Sequence, residues 1–215
     1  MQPIVTGAGD MQTVKPYKVP DRNIWVFIGD LLSSDFDSEL SNAWIQVLAG
    51  QERGFRVTSS IYRLINEFAL ENGIDYILID LGPNLGSLNR AILLGCDNFI
   101  IPMIPDLFSL RGSQNLGLVF ADWISNYRSA KKRTNNLNFD IPKGEPVFSG
   151  YVLQQFNVYR TRKTKAYQNW GEQIPTHIKE YVINPLANVD EQLALNLSNY
   201  QIAEFKNYHS LVPMA

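Results

Sequence analysis

The sequence predicts an α/β fold of three layers, a mostly parallel sheet flanked by helices. Short apolar runs rich in β-branched and aromatic residues recur at Ile24–Ile28, Ile74–Ile79, Asn98–Met103 and Pro146–Leu153, and stretches of helical periodicity alternate with them. Ile74–Ile79 is apolar at nearly every position, the character of a strand covered on both faces by helices rather than one with a wet side. At 215 residues, 45% of them hydrophobic, the chain is long enough to bury one sizeable core, which predicts a single domain over 1–215.

Met1–Asp21 carries Pro3, Gly7, Gly9, Pro16 and Pro20 without sustained period, so it reads as irregular structure leading into a first strand at Ile24–Ile28. Ser33 or Ser34 can cap a helix over Asp35–Leu48, with acidic residues in its first turn, Gly50 just past its end, and a stripe of Phe36, Leu40, Ala43 and Val47. A second helix over Ser59–Glu71 puts Ile61, Leu64, Ile65 and Phe68 on one face and stops at Gly73. Loop and helix then occupy Asn84–Gly95, a strand Asn98–Met103, a long helix Leu107–Tyr127, a strand Pro146–Leu153, and a helix Lys165–Val182 bent at Pro175. Ser129–Gly144, polar and basic, reads as an exposed loop.

Composition narrows the function classes. With 19 Lys+Arg against 21 Asp+Glu, no global field drives binding to nucleic acid or to an acidic membrane. One cysteine, Cys96, with only His177 and His209, argues against a zinc site and an internal disulfide, and fits a reducing cytoplasmic location. Apolar runs are too short and too broken by proline to span a bilayer. The four tryptophans are spread over different elements and fit packing better than base stacking.

The chemistry gathers around Asp80. It ends the apolar run Tyr76–Ile79 and is followed by Leu81-Gly82-Pro83-Asn84, so it would stand at the C-terminal edge of a parallel sheet, where open α/β sheets bind ligands. A single carboxylate there suits a hydrated Mg²⁺, which takes few direct protein ligands. The bland reading is a turn or a helix cap.

The segments IDLGPNLGSLNRAIL and FIIPMIPDLFSLRGSQNLG, in that order and separation, resemble the Walker B region and following strand and loop of the ParA/MinD/Soj family of P-loop ATPases. Ile24–Ser41 and Gly150–Asn157 (GYVLQQFN) are similar to further parts of that family. The resemblance implies a P-loop fold and an ATP-dependent dimerisation switch in chromosome or plasmid partitioning. It also implies Asp80 as the catalytic, Mg²⁺-associated carboxylate, with Gly82, Pro83, Pro105, Asp106 and Gln154 or Gln155 bordering the nucleotide. As partners it implies a second copy, a ParB-like protein, and DNA held non-specifically; the cluster Arg160, Arg162, Lys163 and Lys165 suits phosphate contacts and equally suits a solvated surface.

The sequence departs from that family in one respect. Such ATPases wrap the phosphates in a glycine-rich loop with a lysine, and no GxxxxGK[ST] occurs here; Gly7-Ala8-Gly9 lacks both a preceding strand and a following Lys-Thr or Lys-Ser. The expectation is a domain cut short at both ends, in which ATP and Mg²⁺ belong to the intact family protein and this chain alone binds neither. Without a neighbouring strand, Asp75–Asp80 would expose an apolar edge. Two alternatives stand beside the partitioning ATPase: a non-catalytic interaction module, and a ligase- or amidotransferase-like enzyme of the same superfamily.

Overall fold

The computed structural model describes residues 16–27, 33–134, 137–156, 158–159, 162–163, 165–195 and 197–206. They fall into two compact units, one formed by residues 1–95 and 126–144, the other by 96–125 and 145–215.

In the first unit, helix α1 (Ser33–Leu48) buries Leu40, Ala43, Trp44 and Val47, all at most 4% exposed. Their spacing puts them on one stripe, as the periodicity predicts. Gly50 follows at φ +74, and the chain turns directly into a short helix the sequence reading missed, α2 (Glu52–Thr58). The two helices approach so closely that a Cβ on Gly54 would lie 2.5 Å from the Val47 nitrogen. Helix α3 (Ser60–Asn72) ends at Gly73 in the left-handed conformation, φ 60, where a residue without Cβ is favoured. Its Phe68 meets the edges of Trp25 and Phe27 at 5.3 and 5.1 Å.

Trp25–Val26 (β2) pairs antiparallel with Tyr17–Lys18 (β1). The described part of the expected Ile24–Ile28 strand is therefore a hairpin arm and not a member of the parallel sheet; Ile28 lies outside the described residues. Helix α4 (Ser87–Gly95) completes this part of the unit.

Ile74–Ile79 differs most from expectation. It is extended, but no described strand pairs with it, and Tyr76, Ile77, Leu78 and Ile79 are 86, 42, 95 and 37% exposed. The sequence supplies β propensity, but a strand exists only where a neighbour takes its N–H and C=O groups.

Helix α5 (Leu107–Lys132) runs from the second unit into the first. Within the first, its Tyr127 packs on Trp44 and Phe55 and donates its hydroxyl to the Pro142 carbonyl at 3.3 Å. Lys131 Nζ donates to the carbonyls of Pro142 and Lys143 at 3.2 and 3.0 Å. The predicted Ser129–Gly144 loop is thus helical at its start and tied down at its end, with Pro142 and Gly144 buried. Phe139 lies under the guanidinium groups of Arg56 and Arg63, at 4.3 and 5.0 Å.

In the second unit, β3 (Asn98–Met103), β4 (Val147–Phe156) and β7 (Gln201–Lys206) form a parallel sheet in the order β3-β4-β7, flanked by helices. Phe99, Ile101 and Met103 are buried, and Phe99 meets Phe120 of α5 edge-on at 5.0 Å. Asn98, Ile100 and Pro102, on the other face of β3, are exposed. Gly150, φ +134, lies where the Tyr200 carbonyl would be 2.4 Å from any Cβ, so only glycine lets β7 close on β4 there.

The predicted helix Lys165–Val182 divides into α6 (Lys165–Gly171), α7 (Ile174–Ile178), a π-helical turn (Lys179–Ile183) and α8 (Asn184–Val189). Pro175 stands at the start of α7, where its missing N–H costs nothing; it opens a helix rather than bending one. Ile174, Ile178, Val182 and Leu186, four residues apart, are each 0% exposed and make the buried stripe of this stretch. Outside it, Val158–Tyr159 (β5) and Arg162–Lys163 (β6) form a small antiparallel hairpin.

Candidate functional site

The sequence-predicted residues divide between the two units, Asp80, Gly82 and Pro83 in the first and Pro105, Asp106 and Gln154 in the second. Asp80 ends the extended segment that leaves Gly73; its carboxylate is exposed and no described residue bonds to it. Gly82 and Pro83, exposed as well, begin the loop to α4.

That loop is held by a residue the sequence reading missed. Asn89, 6% exposed, donates its side-chain amide to the carbonyls of Gly82 at 2.7 Å and Asn84 at 2.8 Å. Asn84 closes the turn by accepting the Gly86 N–H on its Oδ1 at 2.9 Å. Asp37 of α1 accepts the Leu88 N–H at 2.7 Å, which satisfies an open donor at the start of α4 with a charge the helix dipole favours. Ser41 and Ser87 share a hydroxyl contact of 2.7 Å, and Trp44 Nε1 donates to the Ser87 carbonyl. An amide on the stripe of α4 that buries Ala91 and Leu94 was the available signal, since a buried amide has to find partners. Next to it, Arg90 lies 4.1 Å over the Trp44 ring, and burial pushes its pKa down to about 10.

In the second unit the parallel register brings three predicted residues to one edge. Met103 pairs with Leu153, so Pro105 and Asp106 after β3 and Gln154 on β4 emerge together at the C-terminal end of the sheet. Pro105 is buried and Gln154 half-buried. Asp106 caps α5, its Oδ1 accepting the Ser109 N–H at 2.7 Å, while Ser109 Oγ accepts the Ile104 N–H at 3.1 Å. Asp106 thus satisfies an open N–H in the first turn of α5. Phe108, next along, is 87% exposed.

The side chain of Gln155 lies outside the described residues, as do Arg160 and the side chains of Arg162, Lys163 and Lys165. Gly7-Ala8-Gly9 and His209 lie outside them too. Among the described residues no three His, Cys, Asp or Glu side chains gather as a metal site. A cation at Asp80 would have one carboxylate and otherwise water and phosphate oxygens, which is the donor set Mg²⁺ accepts. Cys96, the first residue of the second unit, is half-buried, and burial with the neighbouring Asp97 charge raises its thiol pKa. No described helix is long and apolar enough to cross a membrane.

The model of the AAA domain family matches residues 28–134, a stretch that holds Asp80, its Asn89-tied loop and the Pro105-Asp106 turn. The crystal structure of protein DIP2308 from Corynebacterium diphtheriae superposes with a TM-score of 0.66 at 21% identity, covering 92% of this chain and 64% of that one. The chain thus spans less than two thirds of the length of that neighbour, and the likeness is one of fold. No curated protein matches the chain. Over residues 28–134 this chain is similar to the AAA-domain family, a broad family of P-loop ATPases, and its parallel sheet flanked by helices agrees with the fold of that class.

Proposed function

We propose a ParA-like partitioning or positioning ATPase in which Mg·ATP is held between two copies and its hydrolysis releases them. The observation that carries this reading is the match over residues 28–134, which contains both stretches that resemble the ParA/MinD/Soj family. Asp80 is the residue we assign to Mg²⁺, and its exposed carboxylate at the end of an extended segment suits that role. When bound, the ion neutralises charge building on the phosphates. Asp80 would hold one or two of its waters, Asn89 would keep the Gly82–Asn84 turn from moving under it, and Pro105, Asp106 and Gln154 would border the nucleotide from their sheet edge. The phosphate-wrapping loop would have to come from residues other than those described. Further partners in this reading are DNA at Arg160, Arg162, Lys163 and Lys165 and a ParB-like protein, in the cytoplasm.

A second reading is an interaction module that binds no nucleotide, favoured by the unpaired Ile74–Ile79 segment. Titration calorimetry of the 215-residue chain with Mg·ATP is expected to give no heat; micromolar binding would show that this chain holds the phosphates after all. In a protein that also carries a phosphate loop, Asp80→Asn should abolish hydrolysis and spare the fold. Unchanged turnover would remove Asp80 from the mechanism, and turnover absent from the parent protein would favour the module.

A further inference from the structure

Residues 137–144 close over the end of α5 as a strap, and the groups that hold it lead inward to the turn after Asp80, all within the first unit. The outer end of the strap is gripped by Arg56, which donates to Asn138 Oδ1 at 3.0 Å, and by the two guanidinium groups over Phe139. Its inner end is fixed by Lys131 Nζ on the Pro142 and Lys143 carbonyls. Gly144, φ +74, brings the strap backbone so near Tyr127 that a Cβ would lie 2.2 Å from the ring Cδ1.

Tyr127 faces both ways. On the strap side its hydroxyl donates to the Pro142 carbonyl; on the core side its ring packs on Trp44 and Phe55, with centroids 6.1 and 5.9 Å away. Trp44 in turn donates Nε1 to the Ser87 carbonyl at 3.2 Å, where α4 begins. Asp37, Ser41 and Trp44 stand at i, i+4 and i+7 on one face of α1, so the same face that meets Tyr127 also grips Ser87 and Leu88. Asn89 carries that grip on to Gly82 and Asn84. Tyr127 and Trp44 are 1 and 4% exposed, and in an interior packed this closely a shift of one ring has to be taken up by the other.

We propose that the strap governs how firmly the turn after Asp80 is held, with Tyr127 and Trp44 as the link. Seated, it pins the Gly82–Leu88 turn through α1; lifted, it frees the Tyr127 ring and lets the turn open. That this turn carries a Mg²⁺ carboxylate rests on the function proposed above, whereas the coupling belongs to this unit alone and is present without nucleotide.

Hydrogen exchange in the unliganded 215-residue chain, resolved amide by amide, tests the coupling apart from any nucleotide chemistry. The reporters are the Gly86 N–H, held by Asn84 Oδ1, and the Leu88 N–H, held by Asp37 Oδ1. Lys131→Met and Phe139→Ala each release the strap without touching Trp44, α4 or the turn, and each should quicken both reporters about five-fold, the weight of one hydrogen bond. Amides in the middle of α3, Leu64–Phe68, should keep their rates, which separates opening of the turn from loosening of the whole unit. Trp44→Phe cuts the link at Ser87, so Lys131→Met added to it should quicken the reporters less than two-fold further. If Trp44→Phe loses its circular-dichroism signature of folding, the two strap variants decide alone. Reporters unchanged by both strap variants, α3 amides quickened as much as the reporters, or effects of Lys131→Met and Trp44→Phe that multiply in full would each overturn the proposal.

Discussion

Gly117 lies in α5 against the π-helical turn, and replacing it with alanine sets two effects against each other. An alanine Cβ there would be 2.0 Å from the Tyr181 carbonyl oxygen and 2.9 Å from Val182 Cα. To restore even 3.0 Å to the oxygen, backbone must move by 3.0 − 2.0 = 1.0 Å, and no side chain can rotate away in its place. The moving segment carries Ile178 and Val182, both 0% exposed, so a shift of that size gives up contacts on every side. In favour of alanine stands helix propensity, about 1 kcal/mol in a helix interior. Overpacking against backbone costs about 1–3 kcal/mol and commonly more where nothing yields. The net expectation for Gly117→Ala is destabilisation by about 1–3 kcal/mol, read as a lower urea midpoint at unchanged slope. Gly112 on the same helix is the internal control, because a Cβ there meets nothing within 4 Å. Gly112→Ala should raise stability by up to about 1 kcal/mol. If both variants gain stability alike, the close approach of α5 to Tyr181 is not present in solution.

Asn89→Ala removes the donor to two carbonyls and should cost about 1–3 kcal/mol, with faster proteolysis around Gly82–Gly86; unchanged cleavage there would deny Asn89 its hold on the loop. Asp106→Ala removes the cap of α5 and should lower stability by about 1 kcal/mol in a urea titration, whereas an unaltered midpoint would leave its carboxylate without a structural role. Tyr127 is raised above the ordinary tyrosine value of 10.0 by burial and then by Tyr62, and Tyr167 by burial and then by its bond to Glu204. A raised value means that the fold keeps the proton the unfolded chain gives up. Stability is therefore complete below pH about 10 and falls as pH rises past it, by up to about 1.4 kcal/mol per pH unit for Tyr127. Melting temperatures taken from neutral to strongly alkaline pH test this, and Tyr127→Phe should flatten the alkaline limb.

What the sequence disclosed follows from where the forces act. The stripe of Leu40, Ala43 and Val47 and the stops at Gly50 and Gly73 are local matters of periodicity and backbone freedom, and they were readable. So was Asn98–Met103, although FIIPM reads as continuous and the strand proves bare on its Ile100 face. Ile74–Ile79 was misread because strand identity depends on a neighbour that propensity does not specify. Pro175 was placed in a helix interior when it begins one, since a bend and a break look alike in sequence. Strand β7 was missed because QIAEFK shows only a weak alternation and depends on β4 for its pairing. At the candidate site, Asp80 was singled out by its place at the end of an apolar run and by a resemblance, and the Pro105-Asp106 turn by the resemblance alone. The Asn89 ties span only 5 and 7 residues and left a buried amide as their signal, whereas the Asp37 tie to Leu88 spans 51 positions and leaves no local pattern.

The position of Cys96 makes it a natural reporter. It is the chain's one cysteine, and it stands where the chain leaves the first compact unit for the second. Its raised pKa keeps it a thiol at neutral pH and therefore slow toward disulfide reagents. Any opening that wets the passage from α4 to β3 would lower that barrier and quicken the reaction. The rate at which a chromogenic thiol reagent consumes this one group is thus a clock for local opening, available in the unaltered protein and readable in the presence of nucleotide or a second copy.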